Sequence, residues 1–171
     1  MAAQQERDMQ RQQEYNTQDR LVRENTLVVQ PWLERFAKEY NKEHPGYIGT
    51  CFYTDVTILA GPHDNYFWDT DSGKKLNADY QEGKISIYYV KTADAHFIIE
   101  NNRRMGVGRY GNQLVEMPII TPVDAYFMWQ GRRYSVPLDV AVAAKNLHVA
   151  QEYRGVLWGL LSEQRARGYG R

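Results

Sequence analysis

The densest set of side chains able to do chemistry lies between Gly61 and Gly73, where His63, Asp64, Asn65, Asp69 and Asp71 fall within nine positions. A histidine titrates near neutrality, and catalytic groups often sit on loops. His63 with Asp64 is therefore a candidate acid/base pair. Adjacent side chains on an extended segment point apart, so these two do not make a dyad by themselves. Asp69, Asp71 and Gly73 have the opening of a calcium-loop pattern. Such a loop needs a third oxygen ligand where Gly73 stands and a glutamate six residues beyond its glycine. Lys74 and Lys75 bring cations there instead. The expectation is a hairpin turn with no metal, Asp69 and Asp71 being the one alternative, and no cofactor.

A second set surrounds Gly106-Val107-Gly108-Arg109-Tyr110-Gly111. The glycine spacing is that of a dinucleotide-binding turn, but such a turn follows a strand and opens a helix. Here the surroundings read the other way round, as helix then strand. The plain reading is a flexible connection. The bolder one is an anion cradle of Arg103, Arg104 and Arg109 around backbone amides. Cys51, flanked by Thr50 and Phe52, has neither a helix N-terminus nor a cation beside it to lower its pKa, and reads as a buried small hydrophobe. His96 and His148 fall on expected helices and His44 at a helix end, where capping or surface roles suffice.

These residues must be held by elements. Trp32, Phe36 and Tyr40 recur at helical spacing after Pro31, with charges on the other face, and His44-Pro45-Gly46 stops that helix. Tyr47 to Ala60 is rich in β-branched and aromatic residues and ends at Gly61-Pro62, as a strand would. Tyr66 to Trp68 reads as a strand, Asp69 to Gly73 as a turn with Gly73 at positive φ, and Lys74 to Asn77 as its return. Lys84 to Lys91 alternates as a strand. Thr92 as N-cap and Gly106 at the C-terminal end frame a short helix with Phe97, Ile98 and Met105 inside. Gln113 to Ile120 and Ala125 to Trp129 are strands, and Gln130-Gly131 turns the latter into Tyr134 to Val136. The final helix starts at Pro137 and carries Val149, Tyr153, Val156 and Leu160 as one stripe, widened by Ala150, Leu157 and Leu161. Gly155 and Gly159 lie within it at about 1 kcal/mol each against alanine. Packing on the sheet explains them more simply than a helix pair between subunits.

Strands come in runs rather than in strict alternation with helices. That predicts an α+β fold, an antiparallel or mixed sheet of five to seven short strands covered by an N-terminal and a long C-terminal helix. Residues 1–24 are set apart as a polar Gln- and Arg-rich arm, and residues 25–171 as one globular domain. The first large aliphatic residue is Leu21. The arm is built of good helix formers, yet isolated helices of this length are marginal in water. With Met9 alone for an apolar seam, a coiled coil is excluded. Disorder, or a helix ordered only by contact with a partner, is the expectation.

Composition narrows the partners. The chain has 171 residues and equal numbers, 21 and 21, of basic and acidic side chains. Zero net charge argues against duplex DNA or an anionic membrane as partner. A single cysteine rules out an internal disulfide and fits a reducing compartment, cytoplasmic or intracellular, or the inside of a virion. No apolar run approaches the roughly 18 residues of a membrane span. The thirteen tyrosines suit half-buried strands and interfaces.

The function these features favour is a non-enzymatic interaction or assembly protein, with self-association or another protein as partner. A small viral structural or host-antagonist protein fits the profile. Contacts are expected at Met9, Arg11 and Tyr15 on the arm and at Tyr66, Phe67 and Trp68 on the domain. The alternative is a small cofactor-independent hydrolase or lyase using His63 and Asp64, with Arg103, Arg104 or Arg109 on an anionic group and a site shared between subunits. A weaker alternative is RNA or single-strand binding, since Arg165 to Arg171 resembles basic Gly/Tyr segments in composition.

Overall fold

The computed structural model describes residues 2–63 and 66–169. In chain order the elements are helix α1 (Ala2–Glu43), strand β1 (Ile58–Ala60), helix α2 (Asp71–Gln81), strands β2 (Ile85–Val90), β3 (Ala95–Tyr110), β4 (Gln113–Trp129) and β5 (Arg132–Ser135), and helix α3 (Leu138–Tyr169). The five strands form one sheet in the order β1-β2-β3-β4-β5. The pairs β2–β3, β3–β4 and β4–β5 are antiparallel. The α+β class and the antiparallel sheet are those read from the sequence.

The chain divides into two compact units. One holds residues 1–58 and 143–171, the other residues 59–142.

In the first unit α1 runs unbroken for 42 residues, so arm and amphipathic helix are one element. Pro31 lies inside it rather than in a first turn. Proline in a helix interior removes a hydrogen bond and costs roughly 3 kcal/mol. Val29 and Leu33, on either side, are fully buried, and that packing carries the helix through. The arm does not stand alone either. Tyr15 packs on Trp158 with ring centroids 5.9 Å apart. Tyr153 donates its hydroxyl to Glu14 at 2.9 Å, and Arg154 donates to Asp19 at 3.0 Å. Tyr15 with Trp158 and Asp19 with Arg154 advance in opposite senses, so the two helices are antiparallel here. The buried side of α3 is Leu147, Ala150, Leu157 and Leu161, a heptad-like seam.

Between α1 and β1 the expected strand shrinks to Ile58–Ala60. Thr50–Phe52 is a 3-10 turn, and Cys51 within it is exposed rather than buried. Phe36 stacks on Phe52 at 6.0 Å and Tyr40 packs on Tyr47 at 5.4 Å, so Phe52 and Tyr47 pack on α1 and do not join the sheet.

In the second unit two expectations fail together. Tyr66 to Trp68 is part of a 3-10 turn, Tyr66–Asp69, and the expected turn and return strand are helix α2. Thr70 caps it, its hydroxyl accepting from the Gly73 amide at 3.2 Å. Gly73 has no positive φ. Its lack of a side chain answers a different need, since a Cβ there would overlap the Phe67 carbonyl. The expected short helix after Thr92 is also absent. Residues 91–93 make a 3-10 turn and the rest is β3. Ala95 to Ile99 are all buried. Central strands covered on both faces read as continuous apolar runs rather than alternations, and local capping signals at Thr92 and Gly106 misled the helical reading.

One face of the sheet packs Ile85, Ile87, Ile98 and Met128 against Leu76 of α2 and Phe67. Gln130 and Gly131 both have positive φ, 50° and 73°, and close the β4–β5 hairpin at the expected place. β3 and β4 are not short: they have 16 and 17 residues.

Candidate functional site

His63, the centre of the chemical alternative, stacks on Tyr89 with ring centroids 4.4 Å apart. Its backbone amide donates to His96 Nε2 at 3.1 Å. His96, expected on a helix surface, is on β3 and 1% exposed. Its Nε2 accepts a hydrogen bond, so the ring is neutral with its proton on Nδ1. Burial pushes its pKa down to about 4; the Asp94 carboxylate pulls the other way, and His63 adds to the fall. Tyr89 donates its hydroxyl to Asp94 at 2.9 Å. Burial, that hydrogen bond and the Asp94 charge push Tyr89 up to about 12. At neutral pH the cluster therefore holds a neutral imidazole, a neutral phenol and a carboxylate. It pins the loop that carries His63. Asp64, the other half of the expected pair, lies outside the described residues.

The arginines do not join this cluster. Arg104 lies eight residues beyond His96 on β3, roughly 26 Å along an extended strand, and Arg109 is farther still. Arg103 and Arg109 share one face of that strand and Arg104 takes the other, by simple alternation. Arg104 and Arg109 are thus remote from His96 along the strand, and the three arginines do not share one face. Asp69 and Asp71 flank the start of α2 and are exposed. Among the described residues no group of three or more His, Cys, Asp or Glu side chains is placed to hold a metal.

A cleft of about 530 Å³ opens between α2 and the sheet, lined by Lys75, Asp79, Glu100, Tyr126 and Arg133 among others. Arg133 lies over the Tyr126 ring at 4.5 Å. Burial, opposed by Arg133 and aided by Glu100 and Asp79, raises the Tyr126 pKa. The cleft sits where β3 and β4 change character. Glu100 pairs with Asp124 and Asn101 with Pro122, leaving Val123 as an extra residue on β4. This is a β-bulge, which bends a strand pair.

Beyond the bulge, no further strand among the described residues pairs with β3 or β4. β2 pairs only with residues 95–100 of β3, and β5 only with residues 126–129 of β4. Residues 102–110 and 113–121 therefore form a two-stranded ribbon on their own, roughly 30 Å long. Gly111 at φ 63°, with Asn112, makes its tip. The glycine-rich motif is this ribbon and its turn.

Each face of the ribbon mixes exposed apolar side chains with charges, Arg103, Arg109 and Glu116 lying on the face of Met105 and Arg104 on the other. On one, Met105 is 61%, Val107 67%, Leu114 70% and Ile120 49% exposed. On the other, Ile119 and Met117 lie across Gly106 and Gly108, where a Cβ would overlap them. Tyr110, 79% exposed, stands at its end. A two-stranded hairpin is marginal by itself in water, and monomeric proteins rarely display apolar surface so continuously. This is the surface that sequence reasoning missed. The second strand of the ribbon is legible in Gln113 to Ile120, but the first reads from sequence as the end of a helix and a glycine-rich connection, so the pairing of the two does not show.

The expected contact residues are scattered. Met9 is exposed near the free end of α1, and Arg11 faces Asp8 at 3.9 Å. Tyr15 is engaged with Trp158 of its own chain. Tyr66 is exposed, Phe67 is buried in the core, and Trp68 is partly buried against it. Gly155 and Gly159 face open space, with nothing within 4 Å of an added Cβ, so packing on the sheet does not explain them.

Fold and surface together define an α+β protein with a projecting apolar ribbon. No protein-family model, curated protein or solved structure matches the chain. Among the described residues no helix is long and apolar enough to cross a membrane.

Proposed function

We propose that the chain is a non-enzymatic assembly protein that associates with copies of itself, with the free half of the β3–β4 ribbon as its contact surface. The observation that carries this reading is a two-stranded ribbon with exposed apolar side chains on both faces and, among the described residues, no further strand on either edge. The sequence put the contact on the polar arm and at Tyr66, Phe67 and Trp68. Glu14, Tyr15 and Asp19 of the arm are engaged with α3 of their own chain and Phe67 lies in the core, which favours the ribbon as the open surface. The three ribbon arginines are divided between its two faces, so neither is a continuous basic strip of the kind that tracks a nucleic-acid backbone. A small structural part of a larger particle, a virion included, is the role such a surface suits.

The test is to replace residues 102–121 by a two-residue Asn-Gly turn joining Asn101 to Pro122, which already face each other across the ladder. Light scattering of the intact chain is expected to give a multiple of the 20.0 kDa protomer. The ribbonless chain is expected to give a monomer with the same sheet spectrum. An intact chain that stays monomeric at every concentration ends this reading.

A further inference from the structure

The two edges of the ribbon are not equivalent. Pro118 and Pro122 stand on β4, and a proline within a ladder sits with its nitrogen on the free side. The outer edge of β4 therefore lacks a donor at both positions, a common defence against strand addition. Met105 is the partner of Pro118. A residue facing such a proline is in a non-bonded pair, so it turns its own N–H and C=O outward on the opposite edge. Val107 and Arg109, at the same phase of β3, do likewise. From Asn102 to Tyr110 that edge carries no proline and, among the described residues, no neighbouring strand. One edge is closed and the other open.

Resting on the assembly reading above, we propose that the open β3 edges of two copies pair antiparallel about a two-fold axis through Val107, making a four-stranded β4–β3–β3–β4 sheet. One open edge per copy accounts for closure: the sheet gains one partner and ends at the proline-bearing strands, whereas two open edges would propagate a fibre. The charges favour this register over the one centred a residue earlier. Centring on Val107 sets Arg104 opposite Tyr110 of the second copy, Met105 opposite Arg109, and Gly106 opposite Gly108. An arginine facing an aromatic ring is favourable. Centring one residue earlier would set Arg103 opposite Arg109, and like charges directly across a ladder repel. The occupant is the same segment of a second copy, held by about one backbone hydrogen bond per residue pair, as in other β-augmented contacts.

Disulfide trapping in the full chain tests both the partner and the register. Cys51 is exposed and is first changed to serine, so that each introduced thiol is alone. Val107 is 67% exposed, so Val107→Cys leaves the packing intact. Facing itself across the axis, it falls within the roughly 7 Å Cα separation that a disulfide needs, and the protein is expected to convert to a covalent dimer under mild oxidation. Met105→Cys alone is expected to stay unlinked, because its two copies would lie roughly 13 Å apart along the strands. The same holds for Arg109→Cys. An equimolar mixture of those two variants is expected to give the mixed dimer. An oligomer by light scattering in which Val107→Cys stays unlinked, or Met105→Cys links to itself preferentially, overturns edge pairing in this register but leaves ribbon-mediated assembly standing. A monomer by light scattering overturns both.

Discussion

At His96 the imidazole gives up solvent and receives a hydrogen bond from the His63 amide at 3.1 Å. Burial lowers its pKa to about 4 from an ordinary 6.5. The unfolded chain therefore takes up a proton between these values while the folded chain does not. This contribution to stability is complete above about pH 6.5, is lost progressively as the pH drops from 6.5 to about 4, and levels off below, a total of roughly 3 kcal/mol. Urea midpoints at pH 7 and pH 4.5 should show this loss, and His96→Gln, which cannot titrate, should flatten the difference. An equal pH dependence in the variant would assign the acid sensitivity elsewhere. The residue itself was visible in the sequence. Its environment was not, because a histidine inside Ala95 to Ile99 announces burial only once that run is known to be a central strand. Cys51 erred the other way: its apolar neighbours suggested a strand, but those neighbours pack on α1 and leave the thiol in solvent.

Elements were legible where one face meets water. α3, the 130–131 hairpin and the β2 alternation all followed from periodicity and turn chemistry. They were illegible where burial is two-sided, as in β3, or where a cap was mistaken for a turn, as at Thr70. The glycines of α3 illustrate what only the folded chain reveals. Sequence gave a cost and invited an internal packing partner, yet the space beside Gly155 and Gly159 is open. Alanine at either site adds no clash and removes backbone entropy from the unfolded chain. Gly155→Ala and Gly159→Ala are each expected to raise stability by about 1 kcal/mol, read as a higher urea midpoint with an unchanged slope. A fall in the midpoint would mean that these positions are packed in solution by something other than their own chain.

At the scale of the molecule, the unit containing the sheet is inserted into the other, which is built from both ends of the chain. Unit one exists only when α1 and the far part of α3 come together across an intervening 84 residues, 59 to 142. Closing so long a loop is an entropic cost that their shared core must offset. The core that does so lies on α1 at Val22, Val29 and Leu33 and on α3 at Leu147, Leu157 and Leu161. The sheet unit has its own interior, with Phe97 against Phe127 at 5.0 Å and Ile87 opposite Ile98. The two should therefore part company when the chain is shortened. A protein ending at Val142 loses half of the first unit's core and none of the sheet ladder. Hydrogen exchange on it is expected to show amides of Phe97 to Ile99 still protected, while those of Val22 to Leu33 exchange at the rate of an unfolded or fraying helix. Helicity should fall by more than the deleted residues account for, because an isolated α1 of this polarity is marginal and contains Pro31. Loss of protection in both places at once would show a single cooperative unit.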